Sequence, residues 1–146
     1  MEKEKIEKYW SRFPDTYDKN QEYVVGNELL NEITDALNDL SDLGEVIEFG
    51  CGTGYFTEML AQKADHMVAT DLSNELLERA KIRLKKNSRI TIQKENCMNT
   101  SFTSKKFDTV FMANLIHVVE NPLKVLQESN RILKDGGALI IITFTN

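Results

Sequence analysis

Residues 46–56, VIEFGCGTGYF, constrain the fold more than any other stretch of the chain. An apolar run of strand length leads into glycines at 50, 52 and 54, and a helix-compatible segment follows at once. Glycines at this spacing let the chain turn sharply and bring bare backbone against a ligand. The helix behind them offers free N–H groups and a positive dipole end, which favour a carboxylate or a phosphate. Taken alone, the glycines are weak evidence, the alternative being a tight strand-to-helix turn that binds nothing.

Two ligand classes are disfavoured by the spacing. If Gly52 and Gly54 lead a G-x-G-x-x-G fingerprint, its third position is Thr57; if Gly50 and Gly52 lead, it is Tyr55. Neither frame supplies the glycine that a dinucleotide pyrophosphate and the helix–sheet packing require. A P-loop is excluded because no G-K-[ST] follows.

The surrounding pattern alternates short apolar runs with longer periodic ones. Strands are expected at Val46–Phe49, Met67–Thr70, Ile90–Gln93, Phe107–Ala113 and Ala138–Phe144. Helices are expected at Tyr55–Ala64, Ser73–Lys86 and Leu123–Leu133. Ser73 is the expected N-cap of the second of these, with Leu76, Leu77, Ala80 and Leu84 on its inner face. The third is expected to stop at Lys134-Asp135-Gly136-Gly137, where a glycine can take the left-handed conformation. Phe107–Ala113 is apolar enough for a central strand, and Ala138–Ile142 reads as buried by its length. This alternation predicts an α/β fold: a doubly wound, mostly parallel Rossmann-like sheet with helices on both faces.

Ahead of this core, residues 2–13 suit a short helix that Pro14 ends. A second periodic segment starts near Tyr23 and places Leu29, Leu30, Ile33 and Leu37 on one face, with its acidic residues toward water. The 146 residues suit one domain, with 1–43 as a helical cap and 44–146 as a ligand-binding core. Residues 1–45 carry 5 basic and 12 acidic side chains and the remainder 13 and 11, for a net charge of −5. An acidic chain lacks the broad cationic surface of a nucleic-acid binder. No run approaches the length of a membrane span. Cys51 and Cys97 are too few for a disulfide framework or a thiolate metal site, and they imply a reducing, cytoplasmic setting. No metal site is expected, since His117 has no converging partners.

Asp71 ends the second strand, 21 residues past Gly50. A carboxylate there can accept both hydroxyls of an adenosine ribose, or can help cap the helix that follows. Leu72 is placed either against an adenine face or in ordinary core. His117 follows the fourth strand at the carboxyl edge of the sheet, and an unperturbed pKa of about 6.5 suits proton abstraction. Packing beneath a ligand is the alternative for it. Asn114 is similarly placed. His66, before the second strand, belongs to the opposite end of the sheet and to the surface. The cations Lys81, Arg83, Lys85, Lys86 and Arg89 are favoured at a helix C-terminus without any partner. Tyr9, Trp10, Phe13, Tyr17 and Tyr23 gather in the first 23 residues, as packed helices or as a lid over the pocket.

In motif order the chain resembles the class I S-adenosylmethionine-dependent methyltransferases, of the small-molecule type related to the ubiquinone/menaquinone biosynthesis enzymes. VIEFGCGTGYF matches the first motif, and VATDLSNELLERAK matches the second strand with its ribose-binding acid. FDTVFMANLIHVVENPLKVLQESNRILKDGGALII matches the fourth strand through the fifth, and YWSRFPDTYDKNQEYVVGNELL the N-terminal cap.

The resemblance implies S-adenosylmethionine as cofactor, S-adenosylhomocysteine as product and a small-molecule acceptor methylated in line. It places Glu48 under the glycine loop near the donor's amino group, and gives the backbone of Gly50, Cys51, Gly52 and Gly54 to the methionine part. It gives Asp71 to the ribose and Leu72 to the adenine. Asn96 stands where many relatives have an adenine-binding Asp, with Cys97 and Met98 adding backbone and an apolar wall. Asn114 orients donor or acceptor, His117 is the candidate base, and Tyr17 is the ring beside the donor.

Relatives continue past the fifth strand with a helix and a hairpin, so the final two of seven strands are expected to be missing here. The fifth strand would then be an open edge that a second copy could cover. A non-catalytic donor-binding module and an RNA or protein methyltransferase stand as the alternatives.

Overall fold

A computed structural model describes residues 27–143 of the chain. The aromatic cluster of the first 23 residues, Tyr17 included, lies outside the described residues, as does the helix expected at 2–13. The described elements begin with α1 (Asn27–Asn38) and β1 (Gly44–Phe49). They continue with α2 (Tyr55–Leu60), a 3-10 turn (Ala61–Lys63), β2 (Ala64–Asp71), α3 (Asn74–Leu84) and β3 (Ile90–Lys94). The last three are β4 (Phe107–Ala113), α4 (Pro122–Ile132) and β5 (Leu133–Ile142).

The five strands form one sheet in the order β3-β2-β1-β4-β5, with every neighbouring pair parallel. Central β1 and β4 are buried nearly throughout, as expected of strands covered on both faces. Helices α1 and α2 cover one face through Leu30, Leu37, Phe56 and Leu60, packed against Val46, Met67 and Phe111. On the same side Leu77 of α3 meets Ala69 and Cys51. The other face is closed by α4, whose Val125 and Ile132 pack on Ile47, Phe49, Val110 and Met112. The doubly wound architecture is therefore present, and its strand order reverses between β1 and β4. Ligand crevices open at such a reversal, beyond the carboxyl ends of the strands.

Helix starts follow their capping residues. Ser73 accepts the N–H of Leu76 at 3.3 Å, and Asn121 accepts that of Lys124 at 3.2 Å with Pro122 in the first turn. The acidic residues Glu28, Glu32 and Asp35 of α1 face water.

Four expectations need correction. Leu29 is exposed rather than on the inner face of α1. The helix expected to reach Ala64 stops at Leu60, because Ala64 is already paired with Gly44 in the sheet. Helix α4 gives way to an extended Leu133 with no glycine C-cap. Pairing of Leu133 with Phe107, and hydrogen bonds from the Lys105 and Lys106 N–H groups to the carbonyls of Arg131 and Ile132, draw the chain into the strand first. Gly136, at φ +77°, instead falls in the irregular register before Ala138 meets Thr109. Finally, β5 takes the edge position expected of it among the described strands but is not buried: Ala138 and Leu139 are exposed, and Ile140, Ile141 and Ile142 only half-buried.

Candidate functional site

The loop after β1 is held open by its backbone. Gly50 has φ +69° and Gly54 φ +93°, values a side chain tolerates poorly. A Cβ on Gly50 would lie 3.1 Å from Leu115 Cδ1, and one on Gly54 2.8 Å from Leu84 Cδ1. The loop folds back on itself through Gly54 N–H to the Cys51 carbonyl, 2.9 Å, and is tied to β2 through Cys51 N–H to the Thr70 carbonyl, 2.9 Å.

Asp71 closes the far side of this mouth. Its Oδ2 accepts the N–H of Gly52 at 2.9 Å, and its Oδ1 accepts that of Ser73 at 3.0 Å. Two backbone donors fix the plane of the carboxylate. The capping alternative is answered by Ser73, which caps α3 itself while Asp71 shapes the turn before it. Leu72 sits half-buried beside it.

Beneath the loop, Glu48 is 2% exposed in the middle of the sheet. Thr57, fully buried on α2, donates its hydroxyl to Glu48 Oε1, and Thr70 donates its hydroxyl to the Glu48 carbonyl at 2.7 Å. Burial pushes the Glu48 carboxyl up to about 8, opposed by the Thr57 hydrogen bond and reinforced by the charge of Asp71. The sequence showed Thr57 only as the residue that breaks a dinucleotide fingerprint. Its partnership with Glu48 lies across the turn and leaves no local pattern.

The loop after β3 forms the third wall. Asn96 Oδ1 accepts the Met98 N–H at 3.1 Å, an Asx turn that fixes the segment expected to face an adenine. Cys97 and Met98 pack on the cluster beneath α4. Burial raises both thiols, that of Cys97 to about 11 and that of Cys51 well above its ordinary value, so neither is a nucleophile at neutral pH.

The loop is anchored from α4 by a group that sequence reasoning missed. Glu128, 7% exposed, accepts the Thr100 N–H and hydroxyl, both at 2.6 Å, and the Arg131 guanidinium at 2.7 and 2.8 Å. Arg131 also donates to the Phe102 carbonyl at 2.8 Å. Its place in R-I-L-K-D-G-G was the available signal.

At the end of β4, Asn114 takes the left-handed backbone conformation, φ +57°, and its N–H donates to the Ile142 carbonyl at 2.9 Å. His117 follows in an exposed turn, its Nδ1 3.4 Å from Thr143 Oγ1. It lies at the carboxyl edge with the other candidates. His66 lies toward the amino end of β2, beside Thr91 at 3.0 Å and Glu45 at 3.6 Å. Among the described residues no cluster of three or more His, Cys, Asp or Glu could hold a metal.

Every described candidate thus meets one sheet edge. The left-handed glycine turn, which leaves no room for a Cβ at Gly50 or Gly54, and the carboxylate bonded to the Gly52 N–H suit an adenosyl amino acid. A family model described as a methyltransferase domain matches residues 47–141. The chain belongs to the class I S-adenosylmethionine-dependent methyltransferase family.

Among the relatives of this methyltransferase domain, a demethylmenaquinone methyltransferase of Clavibacter sepedonicus is 30% identical over 131 residues, 88% of this chain and 54% of that protein. A ubiquinone biosynthesis O-methyltransferase of Haemophilus ducreyi is 30% identical over 105 residues, 68% of this chain and 44% of that protein. The chain therefore spans about half the length of these relatives. Among solved structures, an S-adenosylmethionine-dependent methyltransferase from Mesorhizobium loti aligns with TM-score 0.66 at 22% identity, covering 75% of this chain and 51% of that one. At that identity the likeness concerns the fold. The donor of the family, S-adenosylmethionine, is the cofactor for which this cradle is suited.

Proposed function

We propose that this chain binds S-adenosylmethionine and methylates a small-molecule acceptor. The observation that carries the reading is the 2.9 Å bond between Gly52 N–H and Asp71 Oδ2, which joins the cradle to the acid that ends β2. When bound, the donor supplies a methyl group on a positively charged sulfur, open to direct attack.

The chain's part is to bind, orient and exclude water. The Gly50–Gly54 backbone takes the amino-acid tail, and Asp71 accepts the ribose hydroxyls. Leu72, Cys97 and Met98 wall the base. Asn96 receives an adenine amino hydrogen on the oxygen that already holds the Met98 N–H, a weaker acceptor than a carboxylate. Asn114 and the exposed His117 face the acceptor side, where His117 takes a proton if the attacking atom carries one. Tyr17, outside the described residues, is the proposed ring beside the donor.

A quinone-type or other partly apolar acceptor is favoured by the names of the relatives, and the net charge of −5 argues against nucleic acid. No described helix is long and apolar enough to cross a membrane, and we place the protein in the cytoplasm. The edge of β5, with Leu139 38% exposed, is the proposed contact for a second copy.

A second reading, a donor-binding module without catalysis, is favoured by Asn96, which stands where many relatives have an adenine-binding Asp. Calorimetry with S-adenosylmethionine tests the donor: micromolar binding is expected, and absence of heat from folded protein refutes the proposal. Labelled donor with thiol, amine, phenol and quinol acceptors then separates enzyme from module.

A further inference from the structure

We infer that donor uptake by this chain is linked to loss of a proton from Glu48, and that Thr57 is the positioning residue which sets how readily that proton leaves. The inference rests on the donor reading above and specifies how the same site selects its ligand.

Glu48 is buried, and among the described residues no cation faces it. It lies in β1 between Ala69 of β2 and Phe111 of β4, neither able to share charge with it. From α2 it meets the Thr57 hydroxyl, while Glu58 of that helix turns outward to Arg83 at 3.2 Å. From the loop it faces the Cys51 thiol, protonated at neutral pH, and from the end of β2 the Asp71 carboxylate. The charged residues of α1 (Glu28, Glu32, Asp35) and of α3 (Glu75, Glu78, Arg79, Lys81, Arg83) are exposed on the outer side. With desolvation and a neighbouring anion both opposing ionisation, the carboxyl is neutral at pH 7, in agreement with its displacement to about 8.

A ligand carrying an ammonium into the cradle reverses this balance. Its charge acts through a water-poor interior, where attraction between opposite charges is strong, and Glu48 then ionises, releasing one proton to solvent. The Thr57 hydroxyl, donating to Oε1, is a resident stabiliser of the ionised form. An adenosine thioether without the amino-acid tail brings no such charge and leaves the proton in place. The pair therefore favours ligands with the amino group over otherwise similar nucleosides.

The test is calorimetry at pH 7 in phosphate and in Tris, buffers of different ionisation heat, with S-adenosylhomocysteine and with methylthioadenosine. For wild type we expect a buffer-dependent heat corresponding to nearly one proton released with the first ligand and none with the second. Affinity for S-adenosylhomocysteine should rise up to about tenfold per pH unit between pH 6 and 7.5. Glu48→Gln should abolish both the proton release and the pH dependence. Because the ligand's own amino group titrates alike against both proteins, their difference isolates Glu48. Thr57→Val should shift the wild-type profile to higher pH, and Thr57→Ser should restore it. Wild-type binding with no buffer-dependent heat would overturn the inference while leaving the donor reading intact. An unmoved profile in Thr57→Val would overturn the role of Thr57. Failure of folded wild type to bind S-adenosylhomocysteine at all would remove both.

Discussion

At the residue scale the candidate site combines one half-buried acid and one buried acid with opposite tasks. Asp71 is oriented at the mouth by the two backbone N–H groups it accepts. Truncating it to Ala removes two charge-assisted acceptors, so donor affinity should fall about 100-fold, at about 1.5 kcal/mol per bond, in a titration that leaves the melting curve cooperative. Glu48 carries the cost of burial. Its folded-state pKa lies above the unfolded value, so its contribution to stability is complete below about pH 4.5 and is lost as pH rises toward 8. Thermal melts should therefore find Glu48→Gln close to wild type near pH 4.5 and several degrees more stable at pH 8. The same trend in both proteins would contradict the burial account. Gly50 and Asp71 were legible because backbone geometry and a strand end announce them. Thr57 was not, because its hydroxyl partner lies nine residues back across a tight turn.

At the element scale the loops beyond the strands are fixed by packing that single positions control. Gly54→Ala meets both a left-handed backbone and Leu84 Cδ1 at 2.8 Å, and should lower unfolding free energy by about 1–3 kcal/mol in a denaturant titration. The loop after β3 depends on α4 through Glu128. Burial works to raise that carboxyl, but hydrogen bonds from Arg131 and Thr100 outweigh it and hold it below its ordinary value. The stability it adds is present above the unfolded value and lost as pH falls through the folded one. Glu128→Ala should speed hydrogen exchange at the Thr100 amide by about tenfold or more, the loss of one net hydrogen bond; unchanged exchange would show that the loop is held otherwise.

The strand and helix positions of residues 44–142 were largely readable, since alternation and capping are local. The start of β5 was not. Its pairing with Phe107 is a long-range contact that overrides the stop signal of Gly136 and Gly137.

At the scale of the whole molecule, five parallel strands bring the ends of β1, β2, β3 and β4 to one side of the sheet, and that convergence gathers candidate residues scattered over 70 positions of sequence. Among the described strands β5 is a partly apolar edge; if it is the contact proposed above, sedimentation should find a concentration-dependent dimer that Leu139→Glu shifts to monomer. A wild-type monomer at all concentrations would rule that contact out.

The central claim is that the cradle and Asp71 grip a single adenosyl ligand. Calorimetric titration of the folded chain with S-adenosylhomocysteine, repeated on Asp71→Ala, tests it most directly. The account predicts one site per chain of micromolar affinity that the substitution weakens about 100-fold. Equal affinity in the two proteins, or no binding by wild type, would contradict it.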